Sequence, residues 1–104
     1  MDKILLALFG KFYFKLKGKI EIREQRYFKQ LDIIVTLNSI DELETQIEAT
    51  KTERAKALDP DTEHTLAEKV DDLQNDLTSK NLKLEEHKLM LQNLEYKGKL
   101  LSQL

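Results

Sequence analysis

A mainly α fold follows from three observations on this 104-residue chain: an antiparallel helical hairpin, or coiled coil, with a small N-terminal β-hairpin or apolar segment packed at its base. The first observation is a run of eleven positions spaced by threes and fours: Leu66, Val70, Leu73, Leu77, Lys80, Leu84, His87, Leu91, Leu94, Gly98 and Leu101. Eight of the eleven are apolar and the register holds over five heptads, the pattern of a long helix that turns one seam toward a partner helix. The second is Asp59-Pro60, a helix boundary in the middle of the chain. The third is a change to period two near Lys11.

Residues 4–9, Ile-Leu-Leu-Ala-Leu-Phe, open the chain with an apolar run that ends at Gly10. It lacks the basic start, length and cleavage site of a signal peptide, and a membrane span needs about 20 apolar residues. The expectation is a soluble, cytoplasmic protein in which this run is buried against other elements. From Lys11 onward, Phe12, Phe14, Leu16, Ile20 and Ile22 alternate with Lys11, Tyr13, Lys15, Lys17, Lys19, Glu21 and Arg23, as on a half-buried strand. If Lys17-Gly18-Lys19 is the loop, Leu16 faces Ile20, Phe14 faces Ile22 and Lys15 faces Glu21. Residues 1–23 are therefore expected to be an apolar segment and a β-hairpin.

The first helix is expected over residues 24–58. Phe28, Leu31, Ile34 or Val35, Leu37, Ile40, Leu43 and Ile47 recur at helical spacing, and beyond them the stripe weakens to Thr50, Arg54, Ala57 and Leu58. Asp59 then caps a second helix over residues 59–103, and Pro60 occupies its first turn, where no amide bond is lost. So short a break makes the helices antiparallel neighbours. Folding the chain near residue 60 brings Ile47 level with Leu73, Leu43 with Leu77, Ile40 with Lys80, Thr36 with Leu84 and Ile33 with His87. All of this is one domain, 1–104, with no linker or repeat.

Composition restricts the chemistry. The chain has no cysteine, so thiol redox chemistry, disulfides and thiolate metal sites are excluded. Its two histidines have no ligand spacing around them: His87 sits on the seam as an interface residue and His64 is solvated near Pro60. Asp59, Asp61 and Glu63 alternate like calcium ligands, but the turn glycine of a calcium loop is missing and helix capping accounts for them. No phosphate loop, GxSxG or HExxH motif is present. The expectation is no enzyme, no catalytic residue, no metal and no cofactor.

What remains is association. Leu82, Leu89 and Tyr96 recur every seven residues off the main seam, with Met90, Leu100 and Leu104 nearby, and one antiparallel partner cannot bury them as well as the seam. These six are the candidate self-association residues of a homo-oligomer. The expected function is that of an interaction or scaffold protein, of adaptor, chaperone or inhibitor type, docking on a larger protein assembly. Charge is uneven: residues 1–30 carry eight Lys/Arg against three Asp/Glu, net +5, and residues 31–104 carry nine against sixteen, net −7. The alternative is therefore a peripheral membrane-surface or nucleic-acid binder that uses Lys11, Lys15, Lys17, Lys19 and Arg23.

Overall fold

The computed structural model describes residues 2–103, with side chains from residue 7 to residue 103. Two long helices form a hairpin: α1, Asp2–Lys56, of 55 residues, and α2, Pro60–Ser102, of 43. The described residues contain no strand, so the proposed β-hairpin at 11–23 is replaced by continuous helix.

The reason lies in the pattern itself. Any strict alternation also repeats at i, i+4, and that repeat places residues along a ridge of a helix. The hairpin reading further required Gly18 to turn the chain, yet no described glycine has a positive φ and Gly18 sits inside α1. Helix adds one hydrogen bond per residue to a helix already formed downstream, whereas an isolated two-stranded hairpin is marginal in water. The first helix thus begins at Asp2 rather than at residue 24.

The break between the helices is built as its residues dictate. The Asp59 carboxylate accepts a hydrogen bond from the Thr62 amide at 3.2 Å, and the Asp59 carbonyl accepts the first helical bond from the Glu63 amide at 3.2 Å. Pro60 is the first residue of α2, and Asp61 and Glu63 lie in its first turn, facing the positive end of the helix dipole. Hydrogen bonds from the Thr62 hydroxyl, and then from its amide, hold the Asp59 carboxyl below the usual carboxylate range.

The contacts divide the chain into two compact units, one made of residues up to Asp32 with those from His87 onward, the other of Ile33–Glu86. In the second unit Ile40, Ile47, Val70 and Leu84 are buried, with Thr36 and Thr50 among them. The Thr50 hydroxyl donates to the Gln46 carbonyl at 2.7 Å, which satisfies a polar group that would otherwise weaken the seam. Arg54 Nη2 lies 3.8 Å from Glu63 Oε1 where the chain reverses.

In the first unit Leu94 is buried, while Leu91, Gly98 and Leu101 on α2 are half-buried opposite half-buried Lys15, Gly18, Ile22, Arg26 and Lys29 of α1. A methyl group on Gly18 would stand 2.9 Å from Leu101 Cδ2, and one on Gly98 would stand 3.7 Å from Ile22 Cγ2. Arg26 Nη2 approaches Glu95 Oε1 to 3.9 Å. α1 contributes mostly charge and glycine to this seam, and α2 contributes the leucines.

All eleven heptad positions of α2 are buried or half-buried. On α1 the seam follows Ile33, Thr36, Ile40, Leu43 and Ile47, the residues that folding near residue 60 selects. The earlier part of the expected stripe does not face α2: Phe28, Leu31, Ile34, Val35 and Leu37 are exposed. Those five follow helical spacing, but about an eighth of a turn or more off the face that α2 covers.

Candidate functional site

The proposed self-association residues lie on the outside of α2. Leu89 is two residues from both His87 and Leu91, which turns it about 200° from either seam position. Leu89 and Tyr96 are 59% and 62% exposed, and Met90 and Leu100 are exposed beside them in the same unit. Leu82, in the other unit, is 63% exposed. Leu104 lies outside the described residues. Met90 differs from the others in direction: with Phe28, Leu94 and Lys97 it lines a shallow groove beside the seam.

The five cations proposed as an anionic-ligand face are not all brought together. Lys11, Lys15, Lys19 and Arg23 follow one another at i, i+4, i+8 and i+12, a single ridge of α1, and all but half-buried Lys15 are exposed. Lys17 is set about 200° from Lys15 and belongs to another side of the helix. Next to the basic ridge runs an apolar one, Leu8, Phe12, Leu16 and Ile20, every member exposed. Beyond it lie Phe9 and Tyr13, also exposed.

No protein-family model, curated protein or solved structure matches this chain.

The helical course of α1 also reveals a stripe that alternation concealed. Phe9, Tyr13, Leu16, Ile20, Tyr27 and Leu31 recur at spacings of three, four and seven on the side of α1 away from its seam, and all are exposed. The spacing was visible in the sequence, but the strand reading assigned its first half to a different period.

The remaining polar candidates are local. His87 Nδ1 lies 3.5 Å from Lys29 Nζ, half-buried in the seam, and Glu85 and Glu86 are exposed on other faces of α2. His64 Nε2 is 3.0 Å from Glu68 Oε1 on the exposed side of α2, one turn away along the same helix. Among the described residues no three His, Asp or Glu side chains are grouped so as to hold a metal ion. No described helix is long and apolar enough to cross a membrane.

Proposed function

We propose that this chain is a non-enzymatic coiled-coil interaction protein that self-associates through the outer face of α2 and, as an oligomer, docks on a larger protein assembly. One observation carries the reading: Leu82, Leu89 and Tyr96 repeat every seven residues off the seam and leave about three-fifths of their surface to solvent. A heptad-spaced apolar line is what a further helix recognises, and the side of α2 that carries it is free of the intramolecular seam. Fully burying a leucine or aromatic side chain is worth about 1.5–3 kcal/mol, so covering the exposed part of these side chains is the gain that would offset the cost of association. Flanking charge does not oppose this, since residues 82–100 hold Lys83, Lys88, Lys97 and Lys99 against Glu85, Glu86 and Glu95.

The test is molar mass in solution by light scattering on the full chain, with Leu89→Glu and Tyr96→Lys. A discrete oligomer that both substitutions dissociate supports the reading. A monomeric wild type, or an oligomer that neither substitution changes, sinks it.

A further inference from the structure

We propose that the N-terminal part of α1 is an interfacial anchor that lays its apolar ridges into the surface of an anionic phospholipid bilayer. The inference goes beyond self-association and rests on different residues.

The first support is the register of the hairpin. Gly18 packs against Leu101 of α2, whereas residues 7–14 of α1, before Lys15, are not covered by the described part of α2. Residues 7–14 are accordingly all exposed, and they include Leu8, Phe9, Phe12, Tyr13 and Phe14. Phe12 and Phe14 are 66% and 74% exposed. A helix end this apolar requires a cover.

The second support is the order of the ridges around α1. The Leu8-Phe12-Leu16-Ile20 ridge lies directly beside the Lys11-Lys15-Lys19-Arg23 ridge. An apolar strip with cations at its border is the arrangement of a helix lying in a bilayer interface, where the apolar side enters the acyl boundary and the lysine stems reach up to the phosphates. The basic border continues into a groove shared with α2, lined by Lys19, Arg23, Arg26 and Lys99 against a single anion, Glu95. Arg26 Nε is buried there with no hydrogen-bond partner.

Other occupants fit less of this surface. A second copy would bring the same basic ridge to it, and the outer face of α2, where Glu85, Glu86 and Glu95 are outnumbered by four lysines, offers no net negative charge to compensate it. The acidic stretch from Asp41 to Asp76 has the charge, but its only described large apolar side chain that is exposed is Leu58. Phe12, Tyr13 and Phe14 also span about 200° of the helix, more than one groove of a packed helix accepts and no obstacle to a fluid interface. Nucleic acid would use the cations but leave Leu8, Leu16 and Ile20 in water. With no described helix able to cross a bilayer, the segment lies on the membrane rather than through it.

The experiment is flotation of the full chain with vesicles of phosphatidylcholine alone and of phosphatidylcholine mixed with phosphatidylserine, at low and high salt. Wild type is expected to float with the serine-containing vesicles only, with binding weakened by salt. Phe12→Glu and the double variant Lys15→Glu/Lys19→Glu should each reduce binding roughly tenfold or more. Since the chain has no tryptophan, Phe12→Trp supplies a single reporter, and its emission should shift to the blue on binding. Absence of binding at low salt, binding indifferent to Phe12→Glu, or an unshifted tryptophan would each overturn the proposal. So would tight, salt-sensitive binding to a DNA oligonucleotide that Phe12→Glu leaves unchanged, since that is phosphate recognition without insertion.

Discussion

Lys29 Nζ lies 3.5 Å from His87 Nδ1 across the seam, and equally 3.5 Å from Asp32 Oδ2 on its own helix. A lysine and a histidine thus occupy facing positions where the heptad pattern on both sides would accept leucine. Asp32 offsets the ammonium charge, and the histidine ring nitrogen accepts a hydrogen bond only in its neutral form. The double variant Lys29→Leu/His87→Leu is expected to raise stability by about 1–3 kcal/mol, because it exchanges a half-solvated polar contact for apolar burial. Thermal and denaturant unfolding of the two proteins at one concentration checks it; a lower midpoint for the variant would mean that the polar pair is required for register.

Leu82 and Leu84 are two residues apart and should respond differently. Leu84 is 7% exposed in the seam, so Leu84→Ala should cost about 2–4 kcal/mol of folding stability. Leu82→Ala should leave the folding of the isolated chain within about 0.5 kcal/mol of wild type. Unfolding measured at several protein concentrations separates the two effects, since a loss through Leu82 that appears only at high concentration belongs to association.

The helical glycines offer a second contrast. Gly98→Ala gains helix propensity and places its methyl at ordinary contact distance from Ile22, so stabilisation of about 0.5–1 kcal/mol is expected. Gly18→Ala gains the same propensity but requires the Leu101 side chain to shift, and should stabilise less. Unfolding midpoints in the reverse order would mean that the Gly18 to Leu101 contact is looser than it stands here.

The Asp59 cap gives a pH dependence with a definite sign. Its carboxyl titrates lower in the folded chain than in the unfolded one, so its contribution is present above the unfolded-state pKa and lost as pH falls through the folded one. Asp59→Asn retains a capping side chain that does not titrate. Relative to that variant, wild type should lose stability as pH is lowered through the carboxylate range, and a constant difference between them would show that the cap carries no charge-dependent part.

Much of the fold was legible because a heptad repeat is a local code. All eleven seam positions of α2 were readable one by one, and the Asp59-Pro60 boundary was readable from capping chemistry alone. On α1, matching residues across the break picked the correct face from Ile33 to Ile47, whereas following apolar residues by themselves picked Phe28, Leu31 and Leu37, which face solvent. Apolar periodicity reports that a face is covered without saying by what, and this helix has apolar residues on more than one face.

The sequence by itself determined two helices, their break and, from Ile33 to Ile47 of α1, the face by which they meet, since spacing and capping act within a few residues along the chain. Only the tertiary structure decided between strand and helix over residues 11–23, because alternation and the i, i+4 ridge describe the same letters there. It alone left Phe12 and its neighbours exposed and aligned four of the five cations while turning Lys17 away. Which apolar residues stay in water depends on which turns the partner helix covers, and that is a property of two segments brought together, not of either one.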